Sequence, residues 1–247
     1  MPNTPNPTIS KNSKGTLYLI PSALGDASTL ADVLPQNNHK IVQTIKVFIV
    51  EELKTARRFL KRLNKDTNID ELEFLIFNEH SAKTEVARYI APLLLGKNVG
   101  LLSEAGLPCI ADPGQEIVRE AHLHHINVVP LSGPSSILLA LIASGFNGQH
   151  FAFVGYLPVE KLPRIKRIKQ LETTIANTNQ SQIFIETPYR NNQLLQTIIQ
   201  TCRSQTLLCV AADITLPTQQ IITAPIHIWK KTTYDFNKRP AVFILYQ

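Results

Sequence analysis

The segment between residues 99 and 136 constrains the fold most, because two loops of small residues follow two short apolar runs. Residues 99–102 precede the loop 103–108, and residues 126–130 precede the loop 131–136. One helix-length segment separates the runs, which is the spacing of a β-α-β unit. Open α/β sheets bind ligands outside the carboxyl ends of their strands. The segment therefore predicts a ligand site at two strand ends.

Strand-like and helical segments alternate along the first half of the chain, which predicts a mainly parallel sheet. The predicted strands are residues 17–20, 47–50, 74–77, 99–102 and 126–130, and the predicted helices are residues 53–63, 82–95 and 115–125. The last of these helices follows Asp112-Pro113-Gly114, where Asp can cap and Pro can occupy the first turn.

The second half contains strand-like runs, and the later ones lack long intervening helices, which predicts a second sheet with antiparallel members. These runs are residues 151–154, 183–185, 207–210, 220–223 and 241–245. The Asn-, Gln- and Thr-rich stretch 173–182 is interpreted as a long polar loop. We expect a flexible tail (1–14), an N-terminal α/β domain (15–130) and a C-terminal α/β domain (131–247), with a helix at 134–144 bridging them.

Composition restricts the class of protein. The 247 residues, 44% of them hydrophobic, can form a substantial core. No segment approaches the ~18 apolar residues of a membrane helix, and the N-terminus lacks the pattern of a signal peptide. Three cysteines without a C-x-x-C pair argue against a disulfide framework or a zinc knuckle. We therefore expect a cytoplasmic protein that is not embedded in a membrane.

A formal charge of +6 favours a polyanionic partner. The excess is concentrated in residues 54–62 and 161–169. The alternative interpretation of both clusters is a solvated helix face, so charge alone leaves RNA binding open.

The two loops offer polar groups without a phosphate cradle. Glu104 and Asp112 place carboxylates in the first loop, and Ser132, Ser135 and Ser136 place hydroxyls at the start of an apolar helix. The lysine of a Walker loop and the G-x-G-x-x-G of a dinucleotide site are both absent. A tight connection in which Asp112 only caps a helix remains the alternative.

Other reactive side chains have simpler interpretations. Cys109 lacks an obvious neighbouring base and is interpreted as a small buried residue. Of the histidines in residues 122–125, only His122 and His125 share a helix face, and no nearby Cys or carboxylate completes a set of metal ligands. No metal site is therefore expected. Glu186 and Arg190 leave a strand end together, as a functional pair or as an ion pair at a helix start.

Six ordered motifs show a resemblance to a known family. Residues 103–114 are S-E-A-G-L-P-C-I-A-D-P-G, and the chain resembles the tetrapyrrole methylase-like family (class III S-adenosylmethionine-dependent methyltransferases), in which the related motif is S-D-A-G-T-P-L-I-S-D-P-G. Within that family it looks most like bacterial small-subunit ribosomal RNA (cytidine-2′-O)-methyltransferases. The other motifs lie at residues 15–18, 78–79, 128–135, 153–158 and 185–190.

The resemblance implies two α/β domains with mixed sheets, S-adenosylmethionine in the cleft between them, and a homodimer. It also implies the residues that contact this methyl donor: Glu104, Ala105, Gly106, Pro108, Ile110, Ser132, Ser135, Ser136, Gly155, Tyr156, Leu157, Glu186 and Thr187.

The acceptor side departs from the family pattern. Residues 212–216 are A-D-I-T-L where the family has R-E-L-T-K, and residues 238–241 are K-R-P-A in place of R-G-E. The donor site therefore looks retained and the acceptor site altered.

We expect methyl transfer from S-adenosylmethionine to an RNA ribose hydroxyl, on the strength of the motifs and the basic segments. Glu186 or Glu79 is the candidate base, and Lys54, Arg57, Arg58 and Arg190 are the candidate residues for binding ribosomal RNA or the small ribosomal subunit. Two alternatives stay open: a tetrapyrrole or other small-molecule acceptor, and a non-catalytic RNA- or ribosome-binding protein.

Overall fold

The computed structural model describes residues 14–78, 81 and 86–247. The predicted tail 1–14, apart from Lys14, the candidate base Glu79 and the start of the predicted helix 82–95 lie outside the described residues. The chain forms two compact units. Unit 1 contains the residues up to Ser22 and Leu30–Gly133, and unit 2 contains Ala23–Thr29 and Pro134–Gln247.

The sheet of unit 1 is parallel in every pairing of its five strands. These strands are β1 (Thr16–Ile20), β2 (Val47–Val50), β3 (Glu73–Ile76), β4 (Val99–Leu102) and β5 (Asn127–Pro130). Their order across the sheet is β3-β2-β4-β1-β5. The apolar runs become strands because a parallel sheet buries both faces under helices, and all five carboxyl ends meet at one edge.

Helices cover both faces of this sheet. They are α1 (Leu30–Val33), α2 (Gln36–Gln43), α3 (Leu53–Leu63), α4 (Val86–Leu94) and α5 (Gln115–Leu123). Ile90 of α4 and Ile117 of α5 pack in one core cluster with Val47 of β2. Phe48 points to the other face because side chains alternate along a strand, and it lines a surface cavity together with Leu60 of α3.

Strands β1 and β4 are neighbours, but the chain leaves them in opposite directions. From β1 it passes to β2, beyond β4, and from β4 it passes to β5, beyond β1. With right-handed crossovers, the two connections lie on opposite faces of the sheet. A crevice therefore forms between the carboxyl ends of β1 and β4, where open α/β sheets bind ligands.

The sheet of unit 2 is mixed. Its strands are β6 (Phe151–Tyr156), β7 (Ser181–Ile185), β8 (Leu207–Ala212), β9 (Gln220–Pro225) and β10 (Ala241–Tyr246). Their order is β6-β7-β10-β8-β9; β6 and β7 are parallel, and the other pairs are antiparallel. The prediction of antiparallel members in the second sheet is confirmed.

Helices of unit 2 pack on both faces of its sheet. They are α6 (Ser136–Ser144), α7 (Lys161–Thr178), α8 (Asn191–Thr201) and α9 (Ile226–Trp229). Ile168 of α7 and Ile198 of α8 pack with Phe243 in one cluster, and Ile137 of α6 packs with Ile244 in another. None of the described helices is long and apolar enough to cross a lipid bilayer.

Two expectations about this half are wrong. Residues 173–178, predicted as part of a polar loop, continue α7, because Leu171 and Ile175 repeat at helical spacing and are buried. Their polar neighbours form the exposed side of the same helix. The 11-residue α8 also separates β7 from β8, where no long helix was predicted.

The segment Ala23–Thr29, which directly follows β1 and its short extension, belongs to unit 2. Leu24 packs on the core cluster that contains Ile214. Ser28 Oγ bonds the carbonyl oxygen of Thr215 at 3.1 Å and lies 3.2 Å from its hydroxyl. These contacts attach the segment to the loop between β8 and β9.

Candidate active site

The loop after β4 is closed by a hydrogen bond between its two ends. Ser103 Oγ donates to Asp112 Oδ2 at 2.5 Å. Between these residues, Gly106, Cys109 and Ala111 have φ values of 76°, 67° and 59°. Positive φ is uncommon for residues other than glycine and persists where the surroundings enforce it. The predicted ligand loop therefore has a tightly specified backbone.

Burial controls the ionisable groups of this loop. It raises the pKa of Asp112, and the hydrogen bond from Ser103 opposes the shift. Burial, followed by the charges of Asp112 and Glu116, raises the pKa of Cys109 to about 11. A thiol with this pKa is protonated at neutral pH and is a poor nucleophile. The chemistry of Cys109 thus agrees with a structural role.

Glu104 connects the loop to the beginning of α3. Its Oε1 lies 2.9 Å from Thr55 Oγ1, which also lies 2.7 Å from Glu52 Oε2. The carboxylate of Glu52 accepts hydrogen bonds from the backbone N–H groups of Lys54 and Thr55 and so caps α3. The Thr55 hydroxyl and these two donors lower the pKa of Glu52.

Thr55 is not among the site residues predicted from the sequence. The spacing of Glu52 and Thr55 reverses the order of a capping box, in which Ser or Thr is the N-cap and Glu or Gln follows three residues later. It contains no information about Glu104, which is 49 residues away from Thr55.

A cationic face extends along α3 from this contact. Lys54, Arg57 and Arg58 are exposed, whereas Ala56 and Phe59 are buried. The guanidinium carbon of Arg57 lies 5.7 Å from the ring centroid of Phe74. Because residues three and four apart share a helix face, these cations form one stripe that begins beside Glu104.

Backbone groups join the loop after β4 to the end of β1. Ser22 N–H donates to Gly106 O at 2.9 Å, and Ser103 N–H donates to Ile20 O at 3.2 Å. The predicted donor-binding residues of unit 1 differ in exposure: Gly106 and Pro108 are buried, whereas the exposed ones are Glu104, Ala105, Ile110 and Ser132. The carbonyl of Ser132, after β5, accepts a 2.7 Å hydrogen bond from Asn38.

The ends of β6 and β7 bring the predicted residues of unit 2 together. Tyr156 pairs with Ile185 across a register irregularity, within which Gly155 has a φ of 72°. Tyr156 is exposed and Leu157 is buried. Glu186 and Thr187 follow β7 directly, so all of these residues lie at one edge of the sheet.

Ser135 and Ser136 lie at the start of α6. Ser135 is the N-cap, and its Oγ accepts a hydrogen bond from Leu138 N–H at 3.4 Å. Both serines are partly exposed.

Glu186 is buried and paired with Arg190. Its Oε1 accepts hydrogen bonds from Arg190 Nη2 at 2.7 Å and Nε at 3.0 Å. The bond to Glu186 raises the pKa of Arg190. The ring of Tyr189 lies 5.4 Å from the guanidinium carbon of Arg190. Arg190, predicted to bind RNA, thus contacts the predicted donor-site carboxylate.

The altered segments 212–216 and 238–241 also meet. Arg239 Nε donates to Asp213 Oδ2 at 2.8 Å, and its other nitrogens donate to Gln220 Oε1 and to Thr218 O, also at 2.8 Å. Asp213 and Thr215 have φ values of 52° and 69°. Arg239 therefore supplies a cation to a loop that lacks the two cations of the family motif.

The described part of the chain offers no cluster of side chains suited to a metal ion. Within it, no group of three or more His, Cys, Asp or Glu side chains is arranged to hold a metal ion. His124, at the end of α5, lies 3.1 Å from Glu120.

Comparisons with known proteins agree with the motifs. A sequence profile of the tetrapyrrole (corrin/porphyrin) methylases matches residues 17–228. A protein of Xylella fastidiosa named ribosomal RNA small subunit methyltransferase I is 28% identical over 95% of this chain and 81% of its own length. A protein of the same name from Halalkalibacterium halodurans is 31% identical over 76% of this chain and 61% of its own.

Solved structures share the fold at low sequence identity. A cobalt precorrin-4 methyltransferase of cobalamin biosynthesis superposes with a TM-score of 0.62 at 14% identity, covering 97% of this chain and 98% of that one. The uroporphyrin-III C-methyltransferase of Thermus thermophilus, complexed with S-adenosylhomocysteine, superposes with a TM-score of 0.56 at 16% identity, covering 94% and 98%. The predicted fold class is confirmed.

Proposed function

Because the chain belongs to the tetrapyrrole methylase family, we propose that this S-adenosylmethionine-dependent methyltransferase modifies a ribose 2′-hydroxyl of small-subunit ribosomal RNA. The 2.9 Å contact between Thr55 Oγ1 and Glu104 Oε1 is the main structural support, because it joins the cationic face of α3 to the predicted donor loop. The relatives named as ribosomal RNA methyltransferases give independent support.

The residues present are suited to the methyl donor. Ala105 and Gly106 leave the loop after β4 without bulky side chains, and its backbone lies beside the crevice between β1 and β4. In unit 2, the buried Oε2 atom of Glu186 has no hydrogen-bond partner among the described residues. Within unit 1, backbone groups of the loop can bind polar atoms of a ligand, and within unit 2 the Glu186 carboxylate offers one acceptor.

When bound, S-adenosylmethionine supplies a methyl group on a sulfonium centre. The chain must then align the acceptor hydroxyl with that carbon and accept its proton. Glu186 and Glu79 are the proposed bases. The methyl-donor contacts proposed for both units are those predicted from the resemblance.

The proposed RNA surface is the face of Lys54, Arg57 and Arg58. Cations on one helix face can follow a phosphate backbone, and each phosphate contact makes binding more dependent on salt. For the enzyme as a whole we propose a cytoplasmic homodimer. Its ribosomal substrate supports the location, and the family resemblance supports the dimer, which light scattering would test.

Methylation assays test the acceptor. We expect radiolabel from S-adenosylmethionine to enter small-subunit ribosomal RNA or the assembled subunit, and nucleoside digestion to yield a 2′-O-methylnucleoside. Radiolabel on a nucleobase would refute the proposal. Transfer of the label to a porphyrinoid, while the RNA stays unlabelled, would also refute it. Failure of S-adenosylhomocysteine to bind in calorimetry would instead indicate a non-catalytic protein.

Charge variants test the RNA surface. The double variant Lys54→Ala/Arg57→Ala should weaken RNA binding and lower the slope of log Kd against log salt by about 0.7 to 0.9 for each phosphate that it no longer neutralises. The matched control, Lys230→Ala/Lys231→Ala, removes two exposed cations of unit 2. Equal weakening in both double variants would show that only net charge matters.

A further inference from the structure

The two carboxylate oxygens of Glu186 have different environments. Oε1 accepts from Thr187 N–H at 2.7 Å and from the Thr187 hydroxyl at 3.2 Å, in addition to both bonds from Arg190. Oε2 is buried and has no partner in the described part of the chain. The whole side chain of Glu186 is 0% exposed, against 24% for Arg190.

This asymmetry indicates a ligand for Oε2. Buried polar atoms in native proteins are nearly always hydrogen-bonded, and an unsatisfied acceptor next to a saturated one requires an explanation. The donors on Oε1 fix the carboxylate in one orientation, so Oε2 is presented in a defined direction. A preoriented acceptor of this kind is typical of a binding site.

The surroundings can accommodate a ligand. Gly155 lies at the end of the strand next to β7, and no described atom is within 4 Å of the position that a Cβ would take there. Its φ of 72° favours glycine. The main chain at this edge is therefore accessible beside Glu186.

Charge selects the type of hydrogen-bond donor. The guanidinium of Arg190 already neutralises Glu186 at 2.7 Å, so Oε2 lacks a hydrogen-bond donor rather than a second cation. A neutral hydroxyl can supply that donor. Ribose hydroxyls are neutral donors that the proposed reaction brings to the site.

We propose that Glu186 Oε2 accepts a hydrogen bond from a ribose hydroxyl and that Arg190 is a positioning residue that orients Glu186. This inference rests on the proposed function for the nature of the ligand. The ribose belongs either to the methyl donor or to the acceptor nucleotide. In the second case Oε2 receives the hydroxyl proton as the oxygen–carbon bond forms and the sulfur–carbon bond breaks.

Calorimetry with two probes tests the donor ribose. S-adenosylhomocysteine has both a ribose and an ammonium group, whereas 5′-methylthioadenosine keeps the ribose but lacks the ammonium group. If Oε2 binds the donor ribose, Glu186→Gln should weaken both probes by a similar factor, roughly 10- to 100-fold. Weakening of S-adenosylhomocysteine alone would assign Oε2 to the ammonium group and overturn the proposal.

Kinetics test the acceptor ribose. If Oε2 binds the RNA ribose, Glu186→Gln should leave both probes unaffected, lower kcat and alter its pH profile. Unchanged probe binding together with unchanged kcat and KM would mean that Oε2 contacts only a buried water, and would overturn the proposal. Loss of probe binding in an enzyme that does not methylate RNA would refute the proposed acceptor and leave the donor-ribose contact supported.

Two further measurements cover a variant that fails to fold. The unmodified protein should bind 2′-deoxy or 3′-deoxy 5′-methylthioadenosine more weakly if the donor ribose is the ligand. Arg190→Lys should retain more probe binding or turnover than Arg190→Ala, because lysine keeps the positive charge but loses the paired N–H donors of the guanidinium. Equal losses in the two variants would refute the role of Arg190 in positioning Glu186. Glu172 is a second buried glutamate that contacts an arginine. Glu172→Gln is therefore the matched control, and it should change neither probe binding nor the methylation of RNA.

Discussion

Arg239 Nε lies 2.8 Å from the buried carboxylate of Asp213. The side chain of Asp213 is 8% exposed and that of Arg239 is 25% exposed. The hydroxyl of Thr218 donates to the same carboxylate oxygen at 2.9 Å. Arg239 thus connects the loop after β8 to the segment that leads into β10.

Removing Arg239 should destabilise unit 2. Arg239→Ala leaves the Asp213 carboxylate buried without its cation, and we expect a decrease of about 2–3 kcal/mol in the free energy of unfolding, smaller than in the fully buried case because Arg239 is partly exposed. Urea unfolding provides the measurement. Lys97→Ala, which breaks an exposed 3.9 Å pair with Glu73, should cost under about 0.5 kcal/mol. Similar decreases for both variants would contradict this prediction.

A side chain at Gly114 should destabilise the loop after β4. Its φ is 127°, and an added Cβ would lie 2.7 Å from Leu101 Cδ2 and 3.1 Å from Cys109 Sγ. We expect Gly114→Ala to cost about 2–4 kcal/mol through backbone strain and overpacking. In Gly148→Ala the new Cβ meets no described atom within 4 Å, so its change should stay within about 0.5 kcal/mol. A neutral Gly114→Ala would show that the loop relaxes.

Asp112 should make stability depend on pH. Its folded-state pKa is raised by burial, so the protonated form stabilises the fold below the unfolded pKa, and this contribution disappears as pH rises through the folded pKa. The unfolding free energy of Asp112→Asn should therefore rise relative to that of the unmodified protein as the pH increases from below the ordinary aspartate pKa to neutrality. The exposed Asp66→Asn control should show no such trend, and a flat difference for Asp112→Asn would refute the assignment.

Cys109 should react slowly with alkylating reagents in the folded protein. With a pKa of about 11, its thiolate fraction at pH 8 is about one in a thousand. Iodoacetamide labelling followed by peptide mass analysis should show Cys109 modified much more rapidly after unfolding in urea. Cys109→Ala should retain methyl transfer within about twofold, and rapid native labelling or a large decrease in activity would indicate a catalytic thiol.

Local patterns predicted the regular elements well. The bounds of α3 and β4 match the prediction, because Ala56, Phe59 and Leu63 follow helical spacing and the β4 run is wholly apolar. The polar composition of 173–178 concealed the helix that Leu171 and Ile175 continue. The predicted domain ranges and site residues stay predictions.

Pairings between distant residues could not be derived from local patterns. Arg239 and Asp213 are separated by 26 positions, and their pairing depends on β8 and β10 being neighbours. The environment of the Glu186 carboxylate depends in the same way on how Arg190 and Thr187 fold back onto it. A sequence motif gives residue types and order, whereas the strand order decides which side chains meet.

The assignment of Ala23–Thr29 to unit 2 has a consequence for synthesis on the ribosome. Ser28 and Thr215 are 187 residues apart, which corresponds to about 10–40 s of elongation at about 5–20 residues per second. During that interval the nascent chain has β1 but lacks the loop that binds the segment following it. A loop that is translated late is therefore needed before a segment that is translated early can adopt its final path.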